Sequence, residues 1–297
     1  MEWAIAERRA GIAMELADSL FIFWTTRGYS QEGQRWLEQV ISLREGENTL
    51  RARIFNRMRT FAWQRGDLEA ARQYQEKALA IQERIDDQVG ISRLLQNLAI
   101  IAGMQGNYAT TAQLLNRCLV VERTLNNPNA IKVVIQNLAI ATERLGDTER
   151  AEALFRESLQ IRSEQKDQVG MAHVLNGLAN LLRKQGRLRE ASAALRQSLE
   201  IRRTIGNQRE IALSLTFVAQ LAVAKEQATA ALRLYAVAQR INQENKINST
   251  PEARQEEELL VQRLRTRLGA EFETQWHAAC TLPTDEAIQL ALDNILS

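Results

Sequence analysis

Breakers of regular structure are scarce in this chain of 297 residues: only 3 prolines and 14 glycines. Long helices are therefore favoured, and the period-two alternation that marks strands is absent. Cys118 and Cys280 stand alone without a Cys-x-x-Cys pair, which excludes a disulfide framework or zinc ribbon and fits a reducing compartment. His173 and His277 are the only histidines. No His-Glu-x-x-His, Gly-x-Ser-x-Gly or Gly-x-x-x-x-Gly-Lys-Ser/Thr motif occurs, so the expectation is a non-catalytic protein with no cofactor and no metal. The longest apolar runs, such as Leu20 to Trp24 and Leu98 to Ala102, fall far short of the ~20 residues that span a bilayer. The N-terminus lacks the pattern of a signal peptide, so a cytoplasmic protein without a membrane partner is expected. Lys+Arg 38 against Asp+Glu 36 leaves a net charge of +2, which gives no reason to expect direct nucleic-acid binding. Asn248-Ser249-Thr250 matches a glycosylation sequon, read as chance without a secretory signal.

What the chain does have is repetition. Gln-Asn-Leu-Ala-Ile occurs at 96–100 and again at 136–140, and turn glycines stand at 66, 106, 146 and 186, forty apart. A period of 20–50 residues marks a stack of supersecondary units that bury their apolar faces against each other. A first helix over 2–27 carries an apolar stripe through Ile5, Ile12, Leu16, Leu20 and Phe23; a second over 31–44 turns Trp36, Leu37, Val40 and Ile41 inward, and Gly46-Glu-Asn is the loop beyond it. Four hairpins follow, with first helices near 49–65, 88–105, 129–145 and 168–185 and second helices near 67–85, 107–125, 147–165 and 187–205. A sixth, near 208–224 and 227–245, has Lys225-Glu226 where the turn glycine would stand. Beyond it Thr250 is the expected N-cap and Pro251 the first residue of a helix to Leu268. Helices near 270–280, with Phe272 and Trp276 on one face, and 285–295 complete a C-terminal cap. The domains so read are an N-terminal capping hairpin (1–47), repeats (48–245) and a helical cap (246–297).

Aligned on the turn, small residues form columns: Arg59, Ala99, Ala139, Ala179, Ala219 on first helices and Ala71, Thr111, Ala151, Ala191, Ala231 on second ones. Small side chains there let helix backbones approach closely. Beside them run Met58, Leu98, Leu138, Leu178, Val218 and Leu79, Leu119, Leu159, Leu199. Cys118 shares a column with Ala78, Ser158, Ser198 and Ala238, the place of a small packing residue and not of a reactive thiol.

Leu178-Ala179, Leu182, Gly186, Ala191, Leu195 and Leu199, with Phe155 as the aromatic of the preceding copy, resemble the tetratricopeptide repeat. The unit departs from that family in its length of forty residues against 34, in lacking an opening Trp, and in lacking the Pro after the second helix. The added residues are expected to extend the second helix and its loop; HEAT-like repeats, which share the length, are the other reading. The resemblance implies an all-α fold, a tetratricopeptide-like α-solenoid with a right-handed superhelix and a helical C-terminal cap. The stretches Leu16 to Glu38, Leu268 to Trp276 and Thr284 to Leu292 further resemble the C-terminal region of bacterial signal-transduction regulatory ATPases, where a tetratricopeptide sensor array follows a nucleotide-binding module. That resemblance implies a protein- or peptide-binding scaffold or sensor in bacterial signal transduction or transcriptional regulation, with an upstream or separate nucleotide-binding regulatory module as a possible partner. The alternative is a stand-alone receptor for a signalling peptide or small molecule that changes superhelix shape on binding.

In such a superhelix first helices line the concave groove, and one groove column of the family maps onto Asn56, Gln96, Gln136, Asn176 and Thr216. Amide side chains both donate and accept, so this ladder is suited either to the backbone of an extended peptide or to bonding between neighbouring helices. Trp63, Arg144, His173, Asn180, Arg183 and Lys184 fall on the same face; the cations suit a carboxylate or acidic side chain, or form a solvated charged surface. Trp3, Trp24, Trp36 and Trp63 crowd the first quarter of the chain, either packing the first hairpin or offering an apolar docking surface.

Overall fold

A computed structural model describes residues 1–43, 48–247 and 251–297, and the side-chain surroundings of all of these but 251–253. Among the described residues every regular element is helical. The expected N-cap Thr250, the sequon and most of the Gly46 loop lie outside them.

The chain divides into two compact units, residues 1–147 and 148–297. The first holds α1 (Glu2–Ala6), α2 (Ala10–Thr26), α3 (Ser30–Ser42), α4 (Thr49–Gln64), α5 (Leu68–Arg84), α6 (Gln88–Met104), α7 (Tyr108–Thr124) and α8 (Pro128–Arg144). The second holds α9 (Thr148–Glu164), α10 (Gln168–Lys184), α11 (Leu188–Ile205), α12 (Gln208–Ala224), α13 (Ala228–Glu244), α14 (Pro251–Leu268), α15 (Phe272–Cys280) and α16 (Thr284–Leu290), the last running into a π-turn at Ala291–Ile295. In the first unit α2 pairs with α3, α4 with α5 and α6 with α7, and α8 packs on α7; in the second α9 packs on α10, α10 pairs with α11 and α12 with α13.

Local chemistry sets these boundaries every twenty residues. Asp67, Asp87, Asn107, Asn127 and Asp167 each accept a hydrogen bond from the backbone N–H three residues on, satisfying a donor that the helix start leaves open. Gly66, Gly106, Gly146 and Gly186 turn the chain with φ between +74° and +87°. At the sixth turn Glu226 keeps this conformation with φ +64°, so the turn survives without its glycine. α6 to α10 are each 17 residues long with three-residue connections. The length beyond a 34-residue unit therefore lies in both helices of a hairpin, and not, as the sequence suggests, in the second helix and its loop.

The packing columns are where the sequence puts them. Met58, Leu98, Leu138, Leu178 and Val218 are buried, as are Ala99, Ala139, Ala179 and Ala219, with Arg59 half-buried. Of the second-helix columns only Leu159 is half-buried; the rest are in the core. Cys118 is buried there, and burial pushes its thiol up.

Two differences arise at the N-terminal end. The expected first helix is broken at Glu7–Arg9, where Arg8 takes φ +52°. Its apolar stripe does share one face, but that face is open: Ile12, Leu16, Leu20 and Phe23 are 39–49% exposed, while Ala10, Ala13, Met14, Ala17, Phe21 and Trp24 form the buried side. Of the N-terminal tryptophans, Trp24 is buried, Trp36 and Trp63 are half-buried and Trp3 is exposed. At the other end α15 packs on α13, with Trp276 near Phe272 and Tyr235 (ring centroids 5.9 and 6.0 Å). Arg196 donates to the carbonyls of Leu292 and Leu296, and Lys225 to that of Ile295.

Candidate functional site

The faces of the first helices carry the candidate residues, and each unit presents its own set. In the first unit Asn56 Oδ1 accepts from Gln75 Nε2 (2.9 Å) and Arg59 Nε (3.3 Å), so it is tied into its own hairpin. Gln96 Nε2 donates to Ser92 Oγ at 3.3 Å. Gln136 is half-buried and engaged within the structure, and Arg144 is exposed in the last turn of α8. Trp63 packs on the buried cluster of Ala62, Ala71 and Ile101, with the Arg59 guanidinium 6.0 Å from its ring centroid.

In the second unit Asn176 is only 2% exposed and donates to Ser214 Oγ at 3.4 Å. It belongs between helices and offers no surface to a ligand. Thr216 returns its hydroxyl to the Ala212 carbonyl. Asn180 Oδ1 accepts from Arg183 Nη2 at 2.7 Å. Arg183 and Lys184 line a hollow with Gln220 and Val223 of α12 and Glu256 and Arg263 of α14; both cations are engaged within the structure.

His173 is held by a different set of residues. Its Nε2 is 3.2 Å from Glu210 Oε2 and its Nδ1 is 3.3 Å from Arg202 Nη2; Arg202 in turn pairs with Glu210 and donates to its carbonyl. Burial is the main reason that its imidazole sits below its ordinary range, opposed by Glu210 and assisted by Arg202. Burial likewise lowers Arg202 to about 10.

Arg202 is the last of a buried polar column that the sequence reading passes over. Gln82, Glu122, Arg162 and Arg202 stand forty apart in the last turns of α5, α7, α9 and α11, each at most 6% exposed. Glu122 accepts from Ser92, and Arg162 pairs with Asp167 at 2.6 Å. The forty-residue spacing is the available signal, but charged residues are rarely buried unless paired, so their type alone does not place them inside.

The second overlooked feature is an apolar pocket of about 200 Å³ on the first-helix face of the first unit. Ile100, Gly103, Tyr108, Thr111, Ile140 and Ala141 are among its walls, and Ile100 and Ile140 are 49% and 40% exposed at its rim. Both isoleucines belong to the repeated Gln-Asn-Leu-Ala-Ile pentads.

Paired helices stacked through columns of small and large apolar residues, with variable side chains left on the first-helix faces, define an α-solenoid of helical hairpins. Residues 50–120 and 130–204 match the family model of the tetratricopeptide repeat, and the chain is a tetratricopeptide-repeat protein. Among solved structures it is similar to the signal transduction ATPase with numerous domains that carries a tetratricopeptide repeat sensor, from Pyrococcus horikoshii: 15% identity, TM-score 0.67, with 95% of this chain covering 44% of that one. It is also similar to the apo form of RapI (12% identity, TM-score 0.65, 95% of this chain and 99% of that one). A Rap protein complexed with Competence and Sporulation Factor aligns at 12% identity and TM-score 0.62, over 94% of this chain and 76% of that one. No curated protein sequence matches. Among the described residues no helix is long and apolar enough to cross a membrane, and no group of three or more His, Cys, Asp or Glu side chains could hold a metal ion.

Proposed function

We propose that the protein is a non-catalytic, cytoplasmic binding scaffold or sensor of a signalling or transcription-regulating system, and that its ligand is an extended peptide or protein segment lying on the first-helix faces. The observation that carries this reading is the first unit's face itself. It sets half-buried amides, Gln96 and Gln136, beside the exposed side chains of Ile100 and Ile140. Amides can pair with peptide backbone whatever its sequence, while apolar positions select side chains. In the second unit Asn180, Arg183 and Lys184 are the corresponding contacts. Asn56, Trp63, Arg144 and His173 stand at the margins of this set, and Asn176 drops out because it is buried. The likeness in fold to a Rap protein complexed with Competence and Sporulation Factor, and to the sensor-bearing ATPase, is consistent with this use. A nucleotide-binding regulatory module is the partner that the second likeness suggests.

Selection of a random peptide display library against the whole chain tests the reading. Recovered peptides should lose affinity roughly tenfold when Gln96→Ala and Gln136→Ala are combined, about 1 kcal/mol or more of lost hydrogen bonding, with the melting temperature little changed. Peptides whose dissociation constants ignore the double variant, or a library that yields none, would remove the first-helix face from the account. A stand-alone receptor that changes shape is the second possibility, and a ligand-dependent change in small-angle scattering would favour it.

A further inference from the structure

We infer that the pocket beside Gly103 seats one apolar side chain of the bound peptide, an aromatic or a branched aliphatic one. The inference rests on the proposed peptide-binding face and narrows what that face selects.

The argument comes from the repeat. Forty residues before Gly103 the same column holds Trp63, and the indole packs on a buried cluster that includes Ala71 and Ile101. The residues one repeat later are Thr111 and Ala141, and these are walls of the pocket. Leu68, which also packs on the Trp63 cluster, is likewise matched by Tyr108 in the pocket wall. One hairpin therefore fills the slot with its own tryptophan; the next has glycine there and trims Ile101 to Ala141. The hollow is what remains.

The chain's own indole shows which chemistry the slot accepts, and the walls agree. The walls are mostly apolar, and the polar side chains among them, Tyr108, Thr111 and Asn137, carry no charge; the Thr111 hydroxyl is already donated to the Asn107 carbonyl at 2.9 Å. A charged side chain entering would lose hydration without an opposite charge to offset it. The volume of about 200 Å³ is below the ~300 Å³ at which small-molecule sites begin, so it suits a single side chain and not a whole metabolite. Ile100 and Ile140 at the rim stand one helical turn beyond Gln96 and Gln136, so a residue entering between them leaves its neighbour on the peptide near those amides.

Gly103 can be filled without disturbing the fold, because a Cβ there would meet only Thr111 Oγ1, at 3.7 Å. The experiment uses Gly103→Leu, with Ala141→Leu as a second way of closing the slot. The probes are N-acetyl-tryptophanamide, N-acetyl-leucinamide and N-acetyl-aspartamide, read by methyl NMR of Ile100 and Ile140, together with the peptides selected from the library. Expected are saturable methyl shifts with the tryptophan and leucine amides but not with the aspartate one, lost in both variants. Selected peptides should share an aromatic or branched aliphatic residue and weaken by roughly tenfold or more in Gly103→Leu. Shifts that persist in both variants, or none with any probe, overturn the inference. Peptides weakened by Gln96→Ala with Gln136→Ala but indifferent to Gly103→Leu would sink the pocket while leaving the face intact. Methyl shifts that follow the slot, with peptides indifferent to the glutamines, would do the reverse.

Discussion

Trp24 lies against Gly33 so closely that a Cβ built on that glycine would fall 2.8 Å from the indole and 2.9 Å from Phe61. Trp24 is 2% exposed and Phe61 is 1% exposed, so neither ring has room to withdraw. Helix propensity alone favours Gly33→Ala by about 1 kcal/mol. Overpacking at roughly 1–3 kcal/mol opposes it and wins, so thermal unfolding should show a net loss of stability. Gly103→Ala is the control with the opposite sign: its Cβ has ordinary contact distance, and the propensity gain of about 1 kcal/mol should appear as a raised melting temperature.

Glu226 holds a left-handed backbone, φ +64°, at the sixth turn. A side chain in that region costs about 1–2 kcal/mol that glycine does not. Glu226→Gly should therefore stabilise the chain by about 1 kcal/mol in denaturant unfolding, as the glycines of the other turns imply. A loss of stability would mean that the Glu226 side chain contributes more than its backbone strain removes.

The columns make a prediction about position. Leu20 and Met58 stand at equivalent places before the turn, yet Leu20 is 40% exposed and Met58 is 4% exposed. Met58→Ala should cost about 2–5 kcal/mol. Leu20→Ser should stay within about 0.5 kcal/mol of the parent protein, as surface substitutions do. Equal costs for the two, measured by chemical denaturation, would mean that the face of α2 is covered in solution.

His173 gives a pH dependence of definite sign. Its imidazole is held below the ordinary range by burial, with Glu210 opposing, Arg202 and Arg162 assisting and Asp167 opposing. The unfolded chain therefore binds the proton more readily, and stability is highest above the usual ~6.5 and falls as pH drops through and below it. The thermal midpoint should fall between about pH 7.5 and 5.5, and His173→Gln should flatten that slope. Glu152 and Glu190, which Arg187 holds below the usual carboxylate range, lose their partners only at lower pH and leave this window clear.

The architecture was legible because its signals are periodic: turn glycines, Asp and Asn caps, and alanine and leucine columns recur every forty residues, and each repeat confirms the register of the last. What periodicity could not reveal is what a column faces. Ile12, Leu16, Leu20 and Phe23 have the spacing of a packed face, but spacing cannot say whether a neighbour is there. Asn176 reads as a groove residue by alignment with Gln96, whereas the shorter side chain stays between α10 and α12 and reaches Ser214. Gln82, Glu122, Arg162 and Arg202 differ in charge from copy to copy, and their common burial emerges only when the helices are in place. The pocket was hidden for a related reason, since a glycine inside a helix announces nothing until the tryptophan of the preceding hairpin shows what the space would otherwise hold.

One consequence follows from the caps at Asp87 and Asn127. Both close their helix starts with the same bond, to the N–H of Gly90 and of Ala130, and α5 and α7 before them end in left-handed residues, Asp86 and Asn126. The two junctions share their backbone turn and their cap bond. Residues 88–127 form a cassette whose tandem duplication would set Asn127 before Gln88, one capping residue in place of the other, so the array can be lengthened by recombination without a new loop having to be invented.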